Sequence, residues 1–94
     1  MIDVAGLRVM KAIADEGSFT GAAAALGYSQ PAVSQMVRRL EQRAGPALVD
    51  RVGRTVRLTE AGSALARRAS DVLMAIDAAE EAVAAIAGLR AGRV

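Results

Sequence analysis

Ser18-Phe19-Thr20-Gly21-Ala22-Ala23-Ala24-Ala25-Leu26-Gly27-Tyr28-Ser29-Gln30-Pro31-Ala32-Val33-Ser34 is the stretch on which the fold turns. Ser18 and Ser29 each stand directly before a helix-forming run, where a side-chain oxygen accepts from the unpaired N–H groups of a first helical turn. Gly27 closes the first run, because glycine takes the left-handed conformation that ends a helix without a side-chain clash. Pro31 is tolerated just inside the second run, since the first-turn amides have no helical partner anyway. The spacing predicts a helix over 18–26, a tight turn, and a second helix from Ser29 to Gly45-Pro46. Phe19 is expected to anchor the core, and Ala22 and Ala23 are small enough for another helix to cross closely. On the second helix Val33, Met36, Val37 and Leu40 make the buried stripe, which leaves Gln30, Ser34, Gln35 and Arg38 polar and exposed on the other side. Two helices joined by a short glycine turn make a helix-turn-helix.

Outward from this pair, Asp3 caps a first helix running to about Glu16, with Val4, Leu7, Met10, Ile13 and Ala14 as its apolar stripe and Gly17 as its stop. On the other side, Leu48-Val49-Asp50-Arg51 and Val56-Arg57-Leu58 flank a glycine-containing link and read as a β-hairpin, with Arg51 and Arg54 on its flank and tip. Thr59 then caps a last helix to about Ala87. Its Leu65, Ala69, Val72, Ile76, Ala79, Val83 and Ile86 alternate steps of four and three, a heptad seam. A helix of that length spans roughly 40 Å, too long for a head of about sixty residues to cover, so the seam is expected to face a second copy of the chain. Gly88 and Gly92 mark a hinge or an end. The expected fold is mainly α: three helices and a short β-hairpin wing over residues 1–58, a dimerisation helix over 59–88, and a hinge over 89–94.

Composition narrows the chemistry. The chain has no cysteine and no histidine, so disulfides, thiolate metal sites, cysteine nucleophiles and imidazole acid–base chemistry are ruled out. Its carboxylates are scattered, and the adjacent Glu80 and Glu81 point apart on a helix. No enzyme, metal or cofactor is expected. The N-terminus shows no basic stretch leading into an apolar run, so no signal peptide is read, and no stretch is long and apolar enough for a membrane span. A soluble, cytoplasmic chain is the expectation.

Charge is distributed unevenly. The net formal charge is only +2, but residues 29–58 hold six arginines (Arg38, Arg39, Arg43, Arg51, Arg54 and Arg57) against Glu41 and Asp50. A basic block inside an otherwise near-neutral chain suits a phosphate-binding surface, although a solvated charged face gives the same pattern. Glutamine at the start of an exposed helix can make a bidentate contact to adenine, serine can contact several base edges, and arginines farther along reach phosphates.

Four blocks, in order, carry a resemblance: Ser18-Phe19-Thr20-x-Ala22-Ala23-x-x-Leu26; Ser29-Gln30-Pro31-Ala32-Val33-Ser34; Leu40-Glu41; and Val56-Arg57-Leu58-Thr59-Glu60-Ala61-Gly62. They resemble the N-terminal domain of LysR-type transcriptional regulators, over essentially the whole chain. The resemblance implies a winged helix-turn-helix, paired through antiparallel linker helices into homodimers and tetramers that bind interrupted palindromes of double-stranded promoter DNA, on the nucleoid. It implicates Gln30, Pro31, Ser34 and Gln35 in major-groove contact, Thr20 and Arg38 in backbone contact, and Arg51 and Arg54 in or beside the minor groove. Many members carry arginine where this chain has Gln35, so a guanine contact there is expected to be missing or replaced. Residues 89–94 are similar to the family's hinge toward an effector-binding domain that this chain is expected to lack. Thr20 has a second reading as a helix cap, Tyr28 is expected to pack, and Arg39, Arg43 and Arg57 are expected to pair within the chain or stay in water. Two alternatives stay open: the DNA-binding domain of a molybdate-responsive-type regulator, and a coiled-coil assembly module whose head merely caps the helix.

Overall fold

Residues 1–52 and 55–91 are described by the computed structural model, and among them the elements run α1 (Val4–Glu16), α2 (Phe19–Leu26), α3 (Gln30–Ala44), β1 (Val49–Val52), β2 (Thr55–Leu58) and α4 (Glu60–Ala91). Each expected cap residue performs that role. The Asp3 carboxylate accepts from Gly6 N–H at 2.8 Å, Ser18 Oγ from Gly21 N–H at 2.9 Å, Ser29 Oγ from Ala32 N–H at 3.2 Å, and Thr59 Oγ1 from Gly62 N–H at 3.0 Å. Gly17 and Gly27 end α1 and α2 with φ of 73° and 74°, the left-handed region that a side chain disfavours.

The core forms where three helices cross. Val9, Ala12 and Ile13 of α1 meet Phe19, Ala22 and Ala23 of α2 and Val33 and Val37 of α3, and Met10, Leu40 and Leu48 make an adjoining cluster. Burial of α1 departs from the expected stripe. Val4 and Ala14 are exposed, while Val9 and Ala12 are buried. The reason is that α1 is covered from two directions, by α2 and α3 on one side and by α4 on another, so its buried face is wider than a single stripe and rotated from it.

The strands pair antiparallel, with Val49 opposite Leu58 and Val52 opposite Thr55. Half-buried Val49, Val56 and Leu58 rest the hairpin on the helical core. The expected Gly53-Arg54 link lies outside the described residues. Leu48, expected as the first strand residue, is instead a buried core residue at the strand's entrance. Its N–H donates to Glu41 Oε2 at 2.8 Å, and its carbonyl accepts from Thr59 N–H at 3.1 Å. The Thr59 hydroxyl also donates to Ala47 O at 2.7 Å, so both ends of the hairpin and the start of α4 are tied at one point. Gly62 makes that closure possible, because a Cβ there would stand 1.9 Å from the Leu48 carbonyl oxygen.

Helix α4 continues through Gly88 to Ala91, four residues past the expected end. One glycine costs a helix interior only about 1 kcal/mol relative to alanine, too little to stop a helix with no proline behind it. Residues 92–94 lie outside the described residues. The heptad seam divides in two. Ala66, Ala69 and Leu73 are buried as α4 packs on α1, and Ala69, expected to face a second copy, has no exposed surface at all. Leu65 is half-buried against the Met10–Leu40–Leu48 cluster. Small side chains at 66 and 69 let the two helices approach closely, which is why the head claims this part of the seam. Farther along, Ile76 is half-buried, Val72 and Ala79 are exposed, and Val83 and Ile86 are 69% and 56% exposed. Among the described residues no helix is long and apolar enough to cross a membrane.

Candidate nucleic-acid interface

Helix α3 presents its start and one face outward. Gln30, Pro31, Gln35 and Arg38 are all exposed. Because residues four apart lie one above the other on a helix, Gln30 and Arg38 bracket Ser34 on one row, with Pro31 and Gln35 on the neighbouring row. The row of three ends at both sides in solvent, but its middle does not. Ser34 is 7% exposed, contrary to the expected open face.

From β1 the guanidinium carbon of Arg51 stands 4.9 Å from the centroid of the Phe19 ring, and its Nη2 donates to Ser34 Oγ at 2.9 Å. One side chain of the wing thus touches the first residue of α2 and the middle of α3. Phe19 is buried as expected, yet its ring also serves as a platform for a charge, a role that no local spacing announces. Arg54, the other wing arginine of the sequence reading, lies outside the described residues.

Thr20 is exposed in the first turn of α2, and Ser18, not Thr20, caps that helix. The Thr20 hydroxyl is therefore not needed for capping. Tyr28, expected to pack, is exposed in the turn between α2 and α3, directly after the left-handed Gly27. Of the remaining arginines, Arg43 pairs with Asp3 at 3.2 Å, tying the end of α3 to the start of α1, while Arg39 and Arg57 are exposed. The Gly6 N–H bonded to its side chain, aided by Arg43, holds the Asp3 carboxyl below the usual carboxylate range. Arg38, by contrast, stands on the same exposed face as Gln30 and Gln35. A polar helix face with a cation at its far end has the form needed to meet base edges first and phosphates second.

Similarity to known proteins agrees with this geometry. An HTH-type transcriptional regulator of Azotobacter vinelandii, from the ibpB-leuC intergenic region, is 42% identical over 93 residues, covering 99% of this chain and 65% of that protein. Among solved structures, the BenM DNA-binding domain in complex with catB site 1 DNA superposes with a TM-score of 0.86 at 31% identity, over 92% of this chain and 97% of that one. Full-length LysG of Corynebacterium glutamicum with bound effector Arg superposes with a TM-score of 0.82 at 34% identity, over 89% of this chain and 29% of that one. The chain spans less than two thirds of the length of the curated relatives it matches, 65% in the Azotobacter protein and 57% in BudR of Klebsiella aerogenes. The family model described as bacterial regulatory helix-turn-helix protein, lysR family, matches residues 4–63, from the start of α1 into α4, and the chain belongs to that family.

Proposed function

We propose that this chain binds double-stranded DNA sequence-specifically, as the DNA-reading part of a LysR-type transcriptional regulator acting at the nucleoid in the cytoplasm. The observation that carries the reading is the exposed polar face of α3, Gln30, Gln35 and Arg38, on a fold that superposes on a relative bound to DNA. In this reading Gln30, Pro31 and Gln35 meet base edges in a major groove, with the Ser34 hydroxyl behind them. Thr20 and Arg38 hold the flanking phosphates, and Arg54 lies on the backbone or in the minor groove. The distal seam of α4, half-buried Ile76 with exposed Val72, Ala79, Val83 and Ile86, pairs two copies, so that two recognition helices meet the halves of an interrupted palindrome. Residues beyond α4 lead toward an effector-binding domain, and tetramers assemble from such dimers. The chain acts by binding and not by catalysis.

Selection of bound sites from a random duplex pool tests this directly. The expected product is a pair of inverted half-sites at a fixed spacing, whose binding weakens steeply as salt rises because phosphate contacts release counterions. A purified chain that enriches no sequence, and retards no duplex at low ionic strength, refutes it.

A further inference from the structure

Arg51 is an exposed residue of β1 whose guanidinium nevertheless has two partners within the chain. Arginine is planar, carries its charge permanently, donates in several directions and accepts in none. At 4.9 Å from the ring centroid it lies within the roughly 6 Å reach of a cation–π contact with Phe19. Its Nη2 simultaneously bonds Ser34 Oγ at 2.9 Å. These two partners belong to α2 and α3, whereas Arg51 itself belongs to β1. A two-stranded hairpin has little stability of its own, and this one leans on the head through half-buried Val49, Val56 and Leu58, contacts that resist removal better than they resist tilting. A guanidinium gripping both helices at once supplies the missing direction.

We propose that Arg51 is a positioning residue of the DNA-reading surface: held between the Phe19 ring and the Ser34 hydroxyl, it sets the angle of the wing to α3 instead of neutralising a phosphate. This rests on the DNA-binding reading above and replaces the expectation that Arg51 itself contacts the backbone. A second consequence follows from the donor count. Because arginine only donates, Ser34 Oγ is the acceptor of this bond, and the hydroxyl keeps its own hydrogen and a second lone pair. On DNA, Ser34 thus still has a hydrogen to donate to a phosphate oxygen or to an acceptor atom of a base edge.

The test compares wild type, Arg51→Met, Arg51→Lys, Phe19→Leu and, as a control for a solvent-facing cation, Arg38→Met, on a duplex selected from a random pool. A lost phosphate contact lowers the slope of log affinity against log salt by about 0.9. Arg38→Met is expected to show that drop. Arg51→Met is expected to weaken binding about tenfold, the loss of one charged hydrogen bond, with the slope kept. Arg51→Lys is expected to weaken binding similarly, because a lysine keeps the charge but cannot grip both partners. In the free protein, backbone amide shifts caused by Arg51→Lys and by Phe19→Leu are expected to coincide on β1, β2 and Ser34. A slope lowered by about 0.9 in Arg51→Met, wild-type affinity in Arg51→Lys, or shifts that fall on separate residues overturns the proposal. If Arg51→Met does not fold, the lysine variant and the free-protein shifts decide. If no duplex binds wild type, the functional reading fails, while the free-protein shifts still judge the grip of Arg51 on Phe19 and Ser34.

Discussion

Replacing Gly62 by alanine sets two physical effects against each other, and their sizes decide the sign. Intrinsic propensity favours alanine over glycine in a helix by about 1 kcal/mol. Packing opposes it. The added Cβ would stand 1.9 Å from the Leu48 carbonyl oxygen, whereas a carbon–oxygen contact settles near about 3.3 Å, so α4 and the hairpin entrance must part by about 1.4 Å. Overpacking that displaces backbone costs about 1–3 kcal/mol. The same displacement stretches the Thr59 N–H bond to that same Leu48 oxygen and the Thr59 hydroxyl bond to the neighbouring Ala47 O, at about 1 kcal/mol each. The net expectation is a destabilisation of about 2–4 kcal/mol, a large share of the 5–15 kcal/mol that holds an ordinary domain. Urea denaturation at one fixed protein concentration measures it, the concentration being held because self-association would add to apparent stability. A Gly62→Ala chain as stable as wild type, or more stable, refutes the reasoning, because propensity would then outweigh the steric contact.

Gln30→Ala removes the exposed amide at the start of α3 and is expected to reduce the ratio of specific to nonspecific DNA affinity by about 1–3 kcal/mol, with an unchanged salt slope. Competition binding against random duplex reads this, and an unaltered ratio removes Gln30 from base recognition. Val83→Asp places a charge on the exposed distal seam, far from the head, and is expected to yield monomers with a normally folded head. Sedimentation showing intact dimers would sink the seam assignment. The Asp3 carboxyl is lowered below its ordinary value by the Gly6 N–H and by Arg43, so its charged form favours the folded chain. That contribution is present above the unfolded-state value of 3.8 and fades as pH falls through the lower folded-state value. Asp3→Asn keeps a capping acceptor without the charge and is expected to lose less stability than wild type on acidification in that window. Parallel acid titrations of the two stabilities would contradict this.

Features governed by neighbours along the chain were legible in the sequence. Asp3, Ser18, Ser29 and Thr59 each declare a helix start because capping is a contact over three residues, and Gly17 and Gly27 declare ends because the left-handed conformation is a local requirement. Features set by distant parts of the chain were not. Periodicity gave α1 one stripe, but two separate partners cover that helix. Periodicity equally could not divide α4, since the face used inside the chain (Gly62, Ala66, Ala69, Leu73) and the heptad seam share Ala69 and both step by threes and fours. Of the candidate site, the exposure of Gln30, Gln35 and Arg38 follows from α3 alone. The bond of Ser34 to Arg51 joins α3 to another element, and the spacing of local residues holds no trace of it.

Helix α4 is 32 residues long, about 48 Å end to end, and its buried attachments to the head stop at Leu73. The remaining part projects about 27 Å as a stiff arm. Tilting that arm by about 10° at its root carries its far end about 5 Å, more than one base-pair step of about 3.4 Å. Whatever grips the far end therefore chooses where the reading head lands, and the tolerance of that choice is fixed by how firmly Ala66 and Ala69 seat the arm against α1. A slightly larger side chain at either alanine would act as a shim. It would leave the head's own chemistry untouched and shift the separation at which two such heads come to rest.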